Sequence, residues 1–123
     1  MKIQDLAQSN LDKIEKEIQK SKARLIEAIN NDVTGFQGIS VAAIQYEALI
    51  VRTSFLRLNL MGIIDDGDLD SRINNAMMTL IHLHDVEQND IAHPPHVAQA
   101  SQWKTEGIIL ALQSLTKIKE QAN

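Results

Sequence analysis

Leu80–Glu106 reads LIHLHDVEQNDIAHPPHVAQASQWKTE and decides how the chain folds back on itself. It carries all four histidines (His82, His84, His93, His96), both prolines (Pro94, Pro95) and the single tryptophan, Trp103. Upstream, Leu69, Ile73, Ala76, Met77, Leu80 and Leu83 recur at helical spacing. Downstream, Val97, Ser101, Lys104, Ile108, Ala111, Leu112, Leu115 and Ile118 do the same. The spacing predicts one helix over 69–88 and another over 97–121. Proline removes a backbone donor and fixes φ, so the Pro-Pro pair stops the first helix and prepares the second.

Working outward, Asp65-Asp66-Gly67-Asp68-Leu69-Asp70 is an acidic turn. Read as a calcium loop from Asp66, it has Ser71 where the sharp-turn glycine belongs and Met77 where the bidentate glutamate belongs. A cap is the better reading, with Asp68 or Asp70 at the positive end of the following helix. Before the turn, a helix is predicted over 41–63, apolar on several sides. Val41, Ile44, Ala48, Val51, Phe55 and Leu58 form its main stripe, and Leu49, Leu56, Leu60 and Ile63 a second. Tyr46 and Ile50 lie on a third side. Thr34-Gly35-Phe36-Gln37-Gly38 reads as a loop with Phe36 tucked beneath it and Ser40 as N-cap. From 3 to 30, a first helix carries Ile3, Ala7, Leu11, Ile14, Ile18, Leu25 and Ile29 on one stripe, with Ser21 its one polar break.

Four helices with short connections predict a single all-α domain over 1–123, an antiparallel up-down four-helix bundle that self-associates. Hydrophobic residues at 44% and charged residues at 23% are ordinary globular values. The net charge of −4 gives no electrostatic reason to approach nucleic acid or an anionic membrane. The absence of cysteine excludes disulfides and thiolate metal sites. No signal-like apolar run opens the chain, and no stretch reads as a membrane span, so the expected compartment is the cytoplasm.

His82-Leu83-His84 would chelate a metal on a strand, but residues two apart on a helix are turned roughly 200° from each other. His84 falls on the apolar face beside Met77 and Leu80, and His82 falls outside it. His84-Asp85 resembles the dyad of the HD phosphohydrolases, yet no histidine precedes residue 82 to supply that family's upstream ligand. A phosphoacceptor histidine would resemble the helical histidine phosphotransfer modules, but the lysine and small residues usual after it are missing. No cofactor and no catalytic residue is assigned. Folding the last two helices about the prolines brings His84 and Glu87 level with Ser101 and Lys104, and counting across the acidic turn brings Arg52 there too. These five form a candidate pocket for a small anion such as a nucleotide or phosphorylated metabolite. Trp103, Gly107 and Leu110, with Tyr46 and Ile50, face away from the predicted core, and this side is expected to meet another protein or a second copy in a dimer. Protein–protein contact without catalysis is the expected activity, anion binding the alternative, and a histidine-dependent metal or phosphotransfer enzyme the second alternative.

Overall fold

The structure, a computed structural model, describes residues 2–31, 35–89 and 95–122, with side chains throughout except at 85–89, 95–98 and 100. Four α-helices and no strand occur among the described residues: α1 (Ile3–Asn30), α2 (Gly35–Asp66), α3 (Leu69–Asn89) and α4 (Pro95–Ala122). Pro95 stands at the first helical position of α4, where its missing N–H removes no helical hydrogen bond.

The turn between α2 and α3 is built by its acids. Gly67 has φ 71, a left-handed value that glycine adopts without strain, and its N–H donates to the Ile63 carbonyl at 2.7 Å, closing α2. Asp68 Oδ1 accepts the Ser71 N–H at 3.1 Å and so caps α3. Asp66 accepts the Asp68 N–H at 2.9 Å through Oδ1 and Arg72 Nη2 at 2.9 Å through Oδ2. Those two donors, the Asp68 amide first and then Arg72, hold the Asp66 carboxyl below its ordinary 3.8.

α2 is longer than its sequence pattern indicates. The expected loop at 34–38 is, from Gly35 onward, the first turn of α2, and Ser40 lies inside the helix rather than capping it. Gly35 makes the bend with φ 61, and no proline follows to delay the helix. Phe36 is not tucked away but 85% exposed. Contrary to the sequence expectation, α2 is also long and apolar enough, by length and composition, to cross a membrane.

Helix pairing follows from named contacts. α1 and α2 run in opposite directions along each other: Gln4 Nε2 donates to the Ile64 carbonyl at 3.2 Å, and Glu15 faces Arg57 further along. α3 and α4 are likewise opposed, with Lys119 Nζ 2.8 Å from Asp70 Oδ1. The other extensive contact is between α2 and α4, which run in the same direction. Gly107 makes it possible. A Cβ there would lie 2.5 Å from the Arg52 carbonyl oxygen, so the α2 backbone occupies the space a side chain would take. α3 meets α2 only slightly, and Arg72 lies over Gly62 beside the acidic turn.

The core sits between α1, α2 and α4 and is closed by the first residue of α3: Leu6, Ala7, Leu56, Leu60, Ile63, Leu69, Ala111, Leu115 and Ile118 form one buried cluster. Of the two stripes on α2, Leu56, Leu60 and Ile63 of the second are buried, while Val41, Ile44 and Leu58 of the first are exposed and Ala48 of the first is buried. The cause is the position of α3, which packs along α4 and leaves that side of α2 uncovered. The buried polar side chains Thr53 and Asn59 are satisfied within α2, donating to the Leu49 and Phe55 carbonyls at 2.7 and 2.8 Å.

Candidate functional site

Of the five residues expected to converge, Arg52 and His84 lie on different sides of α4. Arg52 turns toward α4, where its Nε donates to Glu106 Oε2 at 2.6 Å; Gln102 Nε2 reaches the other oxygen of the same carboxylate at 3.1 Å. His84 is exposed rather than inward, and lines a groove between α3 and α4 with Leu80, Ile81, Thr105 and Ile109. The apolar face of α3 has only α4 against it for most of its length, so the residues at the edge of that face meet solvent. Ser101 is half-buried and its carbonyl accepts the Thr105 hydroxyl at 3.1 Å, while Lys104 is exposed. The Glu87 side chain, His93 and Pro94 lie outside the described residues, as do the side chains of Pro95 and His96. Arg52 and His84 thus occupy different grooves.

The residues assigned to an outer surface fare differently. Trp103 is only 8% exposed and packs inside the chain, because the close approach of α2 at Gly107 turns that side of α4 inward. Leu110, half-buried, rests against the core cluster on the same account. Tyr46 and Ile50 are half-buried. The large apolar side chains that do meet solvent are others. Met77, Met78 and Ile81 of α3 and Ile109 of α4 are exposed, as are Leu58 and Met61 of α2 and Ile29 and Phe36 at the α1–α2 end.

A groove of about 680 Å³ lies between α1, α2 and α4. Glu17, Lys20, Ser21 and Arg24 line it from α1, Ile44, Leu49 and Arg52 from α2, and Gln99 and Trp103 from α4. Ser21 is 6% exposed, unusually covered for a hydroxyl. Among the described residues no hydrogen-bond or ion-pair partner is present for Ser21, Lys20 or Arg24. Arg52 donates only through Nε, which leaves its two terminal nitrogens free. Sequence reasoning placed Arg52 in a polar site but overlooked its α1 neighbours. The signal was Ser21 interrupting an apolar stripe, with cations one residue before it and three after. Among the described residues no group of three acidic or histidine side chains is placed to hold a metal ion.

Comparison of the chain with protein-family models, with curated proteins and with solved structures finds no match.

Proposed function

We propose that the protein is a self-associating helical module that acts by protein–protein contact in the cytoplasm, without catalysis. The supporting observation is surface area. The chain exposes 8209 Å², whereas a compact monomer of 13.7 kDa exposes roughly 6,600 Å². Elongation contributes, since the 32 residues of α2 span about 48 Å. The excess also includes large apolar side chains that water solvates poorly. Obligate homodimers bury at least about 2,000 Å² in total, so a surplus of about 1,600 Å² per chain is ample for one.

The surface proposed for the contact is the α3–α4 strip. Met77 and Ile81 stand one turn apart on α3, and Ile81 shares a groove with Ile109 of α4. A twofold axis beside α3 would set this strip against its own copy and cover the face that α2 leaves open. The opposed directions of α1 with α2 and of α3 with α4 support an up-down arrangement within each chain. The apolarity of α2 suits burial between helices better than a bilayer. Arg52 and Arg57 tie it to carboxylates on α4 and α1, two helices with charged outer faces.

Sedimentation equilibrium of the wild type and of the Ile81→Glu, Ile109→Glu double variant tests the reading. Burying the exposed half of each isoleucine stabilises a dimer by about 1 kcal/mol, and burying a glutamate costs more. Dissociation should therefore strengthen at least a hundredfold in the double variant, with helix content unchanged. A double variant that associates as the wild type does refutes the strip. Trp103→Ala is not a test of association, because Trp103 is internal.

A further inference from the structure

The groove between α1, α2 and α4 combines features that a solvated face does not need. Lys20 and Arg24 stand four residues apart on α1, and like charges at that spacing repel when nothing lies between them. Among the described residues neither has a counter-ion within ion-pair distance, although the chain as a whole carries a net −4. The Ser21 residue between them is 6% exposed, and among the described residues its hydroxyl has no hydrogen-bond partner. The hydroxyl oxygen is not sealed off, so a ligand oxygen in the groove can reach it. Arg52 brings free terminal guanidinium nitrogens from α2, while Glu106 braces its Nε from the other side. Ile44, Leu49 and the edge of Trp103 supply an apolar wall to the same space.

We infer that this groove binds a small phosphate monoester with an apolar body. Lys20, Arg24 and Arg52 against the carboxylates of Glu17 and of Glu106, which pairs with Arg52, leave one net positive charge, and the two guanidinium forks suit the several oxygens of a phosphate better than a monocarboxylate. The Ser21 hydroxyl donates to one phosphate oxygen, and the arginines supply paired N–H donors to the others. The apolar wall takes the organic part. A volume of about 680 Å³ suits a small molecule. The overall negative charge disfavours nucleic acid, whose repeated phosphates would face the acidic remainder of the chain. This site stands apart from the α3–α4 strip and does not depend on self-association.

Trp103 is the only tryptophan and lies in the groove, so its emission reads occupancy directly. The full chain is titrated at low salt with phenyl phosphate, benzoate and phenol. Phenyl phosphate should change the Trp103 emission saturably, benzoate should bind at least tenfold more weakly, and phenol should give no saturable change. The Lys20→Gln, Arg24→Gln double variant alters two exposed side chains and should keep its helix content and melting temperature. It should lose at least tenfold in phenyl phosphate affinity, whereas Lys117→Gln, on exposed α4 surface, should lose nothing. No saturable change with phenyl phosphate overturns the inference. So does equal binding of phenol, or a double variant that binds as tightly as the wild type.

Discussion

Replacing Gly107 by alanine tests the seam on which this arrangement of helices depends. Alanine favours a helix interior over glycine by about 1 kcal/mol, so propensity alone predicts a gain. The structure predicts a loss. The new Cβ would lie 2.5 Å from the Arg52 carbonyl oxygen and 3.2 Å from its carbonyl carbon and Cα, where ordinary contact begins at 3.4 Å. All three atoms are backbone and cannot swing aside, so α2 and α4 must separate by roughly 1 Å. A gap of that size forfeits a quarter to a half of the dispersion energy of each facing atom pair, and overpacking typically costs about 1–3 kcal/mol. After the propensity gain we expect a net destabilisation of about 1 kcal/mol. For a chain of this length that lowers the melting temperature by roughly 4 °C. The assay is thermal and urea unfolding followed by circular dichroism at one protein concentration, because association would make melting concentration-dependent. Gly62→Ala is the internal comparison. Its Cβ would overlap the guanidinium of Arg72, the far end of a flexible side chain that can move away. The Arg72–Asp66 pair it disturbs is 30% and 46% exposed and is worth little in water. Gly62→Ala should therefore fall within about 0.5 kcal/mol of wild type. A Gly107→Ala variant as stable as wild type, or more so, would refute the close α2–α4 approach.

Other substitutions probe the core, a half-buried charge and the acidic turn. Leu60 is fully buried, and Leu60→Ala should cost about 3 kcal/mol in urea unfolding through lost transfer energy and a cavity. Arg57 lies 4.0 Å from Glu15 with its Nε buried and unbonded, so Arg57→Met should be neutral or stabilising by up to about 1 kcal/mol in the same assay. Asp66 has a lowered pKa in the folded chain, so its contribution is complete above the ordinary 3.8 and disappears as pH falls through the lowered value. Asp66→Asn should flatten that acid limb of the stability–pH curve and leave its slope near neutrality unchanged.

The sequence carries the helix inventory plainly. The 3-and-4 spacing of α1, the acid cap of α3 and the proline start of α4 are local signals, and the structure places those helices within two residues of the expected bounds. Which face of each helix turns inward was far less legible. α2 is apolar on several sides, so its own pattern does not say whether α3 or α4 covers it. Gly107 settles the matter by admitting the α2 backbone, and an isolated glycine within a helical pattern is the available hint. Placing Gly107 with Trp103 on the outer side of α4 turned Trp103 outward and set Arg52 beside His84. The groove that does contain Arg52 draws its other cations from α1, far away in sequence. Only Ser21, polar in an apolar stripe, announced it.

The proposed self-association would cover the exposed apolar side chains of the chain with a second copy. Sedimentation equilibrium of the unmodified protein, from about micromolar to several hundred micromolar, measures this directly. We expect a species of twice the 13.7 kDa chain mass across most of that range. A single 13.7 kDa species at every concentration would contradict it.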